Sequence, residues 1–185
     1  PHFPYAMACE LRGNYKDWGM DFRTIAKSAT KYGFLEKQFC LFCKVGDTNY
    51  ERDQMANPDN YDADQRAIAL EHKKGSYFWV DGPYDIFDNF IMTMWINILE
   101  QRSILTGCKW RRSWSEAPNG VIPKTGWEND DYIPHAFKIY GRVTKDGEVT
   151  VCGQLSNGEG IGFGGIFYFP REVINKEFTF KALTY

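Results

Sequence analysis

Residues 137–165 limit what this chain can become more than any other stretch. Phe137-Lys138-Ile139-Tyr140-Gly141-Arg142-Val143 alternates apolar and polar, and so does Glu148-Val149-Thr150-Val151-Cys152-Gly153-Gln154-Leu155. A period of two sends alternate side chains to opposite faces of a strand. Between the two runs stands Lys145-Asp146-Gly147, and Asp-Gly supplies the left-handed backbone that a tight hairpin needs. The spacing therefore predicts an antiparallel hairpin from Phe137 to Leu155. The run Gly158-Glu159-Gly160-Ile161-Gly162-Phe163-Gly164-Gly165 follows it. G-x-G-x-x-G occurs at 160–165, but a dinucleotide site needs a helix to open behind the last glycine. Ile166-Phe167-Tyr168-Phe169-Pro170 stands there instead. The glycines read as close backbone approach or a bulge within a sheet.

Before the hairpin the signals are mixed. Asp21–Thr30 reads as a short helix ended by Gly33, and Gln38–Val45 as a strand with Phe39, Leu41, Cys43 and Val45 alternating. Asp62 with Gln65 three residues on is the pattern of a capping box, opening a helix that Gly75 closes. Asn60 to Glu71 also carries oxygen side chains at calcium-loop positions, but Gln65 replaces the required glycine and the cap explains the same residues. Ser76–Val80 reads as a strand. Residues 84–101 fit either element, and Thr93, Trp95 and the isoleucines favour a strand. Gly107–Pro123 reads as irregular. Ile166–Phe169 and Glu177–Ala182 read as closing strands, Pro170 ending the first.

These elements predict a mainly β chain: an antiparallel, sandwich-like domain with one or two short helices in the N-terminal half. Residues 1–185 form one domain in this reading, with a subdivision into a mixed part, 1–107, and an antiparallel part, 108–185. Aromatic residues make up 17% of the chain, enough either to fill a sheet core or to leave rings exposed for a ligand or partner. The 22 basic and 24 acidic residues leave a net charge of −2, which argues against a nucleic-acid binder. No apolar run is long enough for a transmembrane helix. The first residue is not methionine, so the chain reads as a processed product or part of a longer one.

The chemistry-bearing motifs are few. Five cysteines, an odd number, do not make a disulfide framework. Cys40-Leu41-Phe42-Cys43 matches C-x-x-C, yet in a strand its two sulfurs fall on opposite faces, and no second pair has zinc-site spacing. No serine-hydrolase elbow, zincin or P-loop motif occurs, so no catalytic residue, metal site or cofactor is assigned. Gly126-Trp127-Glu128-Asn129-Asp130-Asp131-Tyr132 concentrates carboxylates beside aromatic rings, with His135 just beyond. Such groups hydrogen-bond sugar hydroxyls and stack on sugar faces, and a carboxylate pair also suits glycoside hydrolysis.

Four fragments together resemble the DM9, or natterin-like lectin, family: Asn119-Gly120-Val121-Ile122-Pro123, Lys138-Ile139-Tyr140-Gly141-Arg142-Val143, Gly147–Gln154 and Gly162-Phe163-Gly164-Gly165. The resemblance covers the C-terminal third and implies an antiparallel β domain that binds mannose-type sugars. The family's Pro-Gly-Lys reads Cys152-Gly153-Gln154 here. The expected function is non-enzymatic carbohydrate binding, with Trp127, Glu128, Asp130, Tyr132, His135 and Arg142 as ligand-binding residues. The alternatives are a fibre, coat or surface-array subunit, and a glycoside-acting enzyme. The expected partner is a carbohydrate or another protein subunit, a second copy of the chain included. The compartment stays open, with an extracellular or surface location favoured.

Overall fold

The computed structural model describes residues 2–13, 19–35, 39, 56–96, 103–155, 160–178 and 182–184. The C-x-x-C pair and, apart from Phe39, the strand expected over Gln38–Val45 lie outside them. The chain divides into two compact units, Pro1–Tyr77 and Phe78–Tyr185.

The first unit is helical: α1 (His2–Arg12), α2 (Phe22–Lys31), a 3₁₀ turn (Pro58–Asn60) and α3 (Ala63–Glu71). Phe3, Ala6 and Met7 at i, i+3 and i+4 give α1 a buried face, which packs with Tyr61 and Ala69. Pro4 hides this helix from a sequence reading, but in the first turn its missing N–H costs no bond. Asp21 caps α2 by accepting from the Thr24 amide (2.9 Å). The cap of α3 is reciprocal: the Gln65 amide donates to Asp62 Oδ1 (2.8 Å), and the Asp62 amide donates to Gln65 Oε1 (3.1 Å). Asp62→Ala is expected to lower stability by about 1 kcal/mol, measurable by urea denaturation followed through far-UV dichroism. A change within error would show that water replaces the cap.

The second unit contains β1 (Phe78–Val80), α4 (Ile86–Ile96), β2 (Ile104–Arg111), two 3₁₀ turns (Arg112–Glu116 and Pro118–Gly120), β3 (Tyr132–Lys145), β4 (Glu148–Gln154), β5 (Ile166–Phe169), α5 (Arg171–Glu177) and β6 (Ala182–Thr184). The strands form one antiparallel sheet in the order β1-β6-β2-β3-β4-β5. The expected sandwich is corrected here. No second sheet exists among the described residues, and residues of α4 and α5 supply the apolar partners of the strands in the core. The chain is mixed α/β.

The strand favoured over residues 84–101 is a helix where it is described. Phe87, Phe90 and Met94 are all buried. A strand would send Phe87 and Phe90 to opposite faces, whereas a helix unites them on one. Glu177 ends a helix rather than opening a strand, and the last strand starts at Ala182. β2 runs through residues 107–111, which look irregular because Gly107, Lys109 and Arg111 break the apolar pattern. Arg171 ties the starts of the two helices together, bonding Asp85 Oδ2 (2.7 Å) and Asp88 Oδ1 (2.6 Å).

The hairpin forms as read. Asp146 (φ 50°) and Gly147 (φ 80°) are both left-handed, the requirement of a two-residue hairpin turn. The glycine run makes a second tight turn, with Gly162, Gly164 and Gly165 all at positive φ and Phe163 and Ile166 exchanging backbone bonds of 2.9 and 3.1 Å. The many rings chiefly fill the core: Trp110 stands edge-on to Trp114 and Phe167, and Phe169 lies against Phe137 and Phe178.

Candidate functional site around His135

Four of the six expected site residues are bound into the fold in different ways. Trp127 is 1% exposed, packs edge-on to Trp114, and donates its Nε1 proton to the Pro123 carbonyl (2.7 Å). Its face cannot receive a sugar. Glu128 accepts from the Gly126 amide (2.7 Å), and its carboxyl is held below the usual range by backbone hydrogen bonds and then by Lys176. Asp130 lends its carbonyl to Arg111 (2.8 Å). Tyr132 is 51% exposed, with its ring 5.1 Å from the Arg111 guanidinium and 5.3 Å from Lys109 Nζ. Arg142 is exposed seven residues beyond His135 on the same strand.

What gathers this turn is Arg111, which in the basic run Lys109-Trp110-Arg111-Arg112 reads as part of a solvated strand end but is buried. Arg111 donates to Glu177 Oε2 from Nη2 (2.8 Å) and Nε (3.1 Å), and both side chains are almost wholly buried. Its guanidinium lies between the rings of Trp127 and Tyr132. The 126–132 segment is thus wrapped on a buried cation. Its polar edge, with Arg112, Ser113 and Glu116, lines a cleft of about 420 Å³ that also takes in Asn129, Asp130 and Asp131. No cluster of three or more metal-ligating side chains occurs among the described residues.

His135 is placed differently. It lies early in β3, on the face that carries Phe137 and Ile139, and is half-buried. Its cross-strand partner is Cys108, and its ring packs 5.8 Å from that of Trp110. Trp110 is fixed in turn by donating to Ser115 Oγ (3.2 Å). The Nε2 atom of His135 is turned away from water. The arrangement presents an imidazole on an aromatic wall beside a thiol. That thiol is not poised for attack: burial first, and then the Glu177 charge, push its pKa far above the ordinary cysteine value. Burial likewise raises Cys9 and Cys152.

No family model matches the chain, and no curated protein sequence matches it. Solved structures do. Xylellain, a cysteine protease from Xylella fastidiosa, superposes over 99% of this chain and 68% of its own, with a TM-score of 0.70 at 18% identity. ProCathepsin B S9 from Trypanosoma congolense covers 97% of this chain and 57% of its own (TM-score 0.67, 11% identity). Digestive procathepsin L 3 from Tenebrio molitor larval midgut covers 97% and 53% (TM-score 0.62, 11% identity). The chain thus spans little more than half of either procathepsin. The likeness is one of fold, shared with these proteins over nearly the whole of this chain.

This corrects the functional expectation. The lectin and structural-subunit readings rested on a mainly β chain, and the structures it resembles throughout are cysteine proteases and procathepsins. The glycoside-enzyme reading gains no support from them.

Proposed function

We propose that this chain is a peptide-binding protein built on the papain-type fold, holding polypeptide beside His135 without cutting it through any described thiol. The similarity to cysteine proteases supports polypeptide as the ligand class. The observation that carries the non-cleaving half is the state of the thiols. Papain-type catalysis pairs histidine with a cysteine whose pKa is depressed, carried in a C-G-[SA]-C-[WY] sequence roughly 130–150 residues before it. None of the five cysteines stands in that sequence. Cys9 comes nearest to the spacing but is buried inside α1, and Cys108 faces His135 as a buried thiol that keeps its proton. With Nε2 turned inward, the Nδ1 side of the imidazole can hydrogen-bond a peptide carbonyl or amide, and none of the described thiols is held ready as a nucleophile.

A fluorogenic peptide library added to the reduced protein is expected to give no turnover, while labelled unstructured peptides bind saturably and His135→Ala weakens that binding. Turnover that thiol reagents block and His135→Ala abolishes would make the chain a working peptidase. Absence of binding to any peptide would remove the ligand class itself.

A further inference from the structure

The sheet face opposite His135 carries its own constellation. Along β3 the side chains of Phe137 and Ile139 enter the core, so Lys138 projects from the other face. A β-bulge then interrupts the β3–β4 ladder between Ile139 and Gly141, leaving Tyr140 as the extra residue, 41% exposed. Past the bulge, Gly141 pairs with Cys152, and Cys152 pairs with Tyr168 on β5. The core side chains that flank the last two, Val151, Phe167 and Phe169, point away from this row. A Cβ built on Gly141 would meet nothing within 4 Å. Lys145 Nζ lies 4.4 Å from the Tyr168 ring, and Lys138 Nζ lies 5.9 Å from the Tyr140 ring.

The charges on this face are unbalanced. Glu148, the hairpin partner of Lys145, is taken by Lys124, which donates to its Oε1 at 2.6 Å. Glu172 is 3.3 Å from the same Lys124. Neither Lys138 nor Lys145 has a carboxylate partner among the described residues. Neither phenol hydroxyl of Tyr140 and Tyr168 is engaged by a described residue. Two ammonium groups and the half-exposed Tyr140 therefore accompany the open space over Gly141, with Tyr168 and Cys152 largely buried beside it at 9% and 7% exposure.

We propose that this row, Lys138, Tyr140, Gly141, Cys152, Tyr168 and Lys145, binds a small oxyanion of the phosphate or carboxylate type. The lysines supply charge, the Tyr140 phenol supplies a directed O–H donor, the Tyr168 ring seats Lys145, and the missing side chain at Gly141 supplies room. Charge-assisted bonds of this kind are about twice as strong as neutral ones. Electrostatic coupling among the groups agrees with their proximity: burial and then Cys152 and Tyr168 raise the Tyr140 phenol, while Lys145 opposes the effect of burial on the Cys152 thiol.

The test is a two-dimensional amide NMR titration of the whole chain at constant ionic strength, with inorganic phosphate in one arm and acetate in the other. Saturable shifts at Tyr140, Gly141, Cys152 and Tyr168 are expected in at least one arm, and the better arm identifies the anion. Lys145→Gln is expected to weaken binding about tenfold, the loss of one charge-assisted contact. Gly141→Val, which has space for its side chain, should weaken it by filling the site while leaving thermal stability near that of the parent. His135→Ala should leave anion binding unchanged, so this result stands apart from the peptide-binding one. No shift in either arm, or shifts that Lys145→Gln leaves as strong, would overturn the proposal.

Discussion

Glu177→Ala is expected to cost about 3–5 kcal/mol of folding stability, because it strands a buried cation. The Arg111 guanidinium holds two bonds to Glu177 Oε2, one to the Asp130 carbonyl, and contacts with the rings of Trp127 and Tyr132. Both partners' side chains are nearly out of water, at 10% and 5% exposure. Removing the carboxylate leaves the positive charge there with only carbonyl and ring partners. The double variant Arg111→Met/Glu177→Leu removes both charges and should recover much of the loss, since apolar replacement of a buried ion pair is often neutral. Urea denaturation monitored by tryptophan fluorescence reads both changes, with Trp127 and Trp114 as reporters. A single-variant loss below about 1 kcal/mol would mean that water reaches the guanidinium and the pair behaves as a surface bridge.

Phe169→Ala is expected to be similarly severe, about 3–5 kcal/mol, through the cavity it leaves. Phe169 has no exposed surface and sits at the crossing of four rings: Phe137 at 5.3 Å, Phe178 at 5.2 Å, Trp114 at 6.2 Å and Trp110 at 6.4 Å. These rings come from β3, the cap of α5, β2 and the turn behind it, so the cavity would loosen the contacts between the sheet and the end of that helix. Phe163→Ala is the control. That ring is 59% exposed at the tip of the glycine turn, and its loss should change stability by no more than about 0.5 kcal/mol. Equal effects at the two positions would show that Phe169 does not join these elements.

Local signals in the sequence were legible where local energetics decide the structure. The Asp146-Gly147 turn, the Asp62–Gln65 box, the end of α2 before Gly33 and the strand Ile166–Phe169 all form as their residues direct. Architecture was harder to read, because apolar runs do not state what covers them. Residues 86–96 are mean-apolar enough to serve as strand or helix, and the helix wins because tertiary packing collects Phe87, Phe90 and Met94 on one side. One antiparallel sheet backed by helices and two sheets face to face need the same strand pattern. The candidate site shows the same limit. The Trp127–Tyr132 cluster looked like a ligand surface because tryptophan beside carboxylates reads alike whether it is exposed or folded around a cation. The partner that decides the matter, Glu177, lies 66 residues from Arg111. His135 was singled out, yet nothing nearby in sequence announces Cys108 or Trp110, which only the β2–β3 pairing brings to it.

The flanks of the sheet bear on how this chain behaves in a crowded solution. Among the described strands, the outermost are β1, three residues long, and β5, four residues long. The open side of β5 is further occupied: Val121 bridges to Tyr168, and the Ile122 amide donates to the Tyr168 carbonyl (3.0 Å). The longest strand, β3, is covered by β2 only from Tyr132 to Ile139, and past the bulge its residues Gly141–Lys145 pair with β4 alone among the described residues. Strand-by-strand addition of further chains, the usual route to fibrils, thus finds only stubs at β1 and β5, which leaves the hairpin arm Gly141–Lys145 as the longer edge from which it would start.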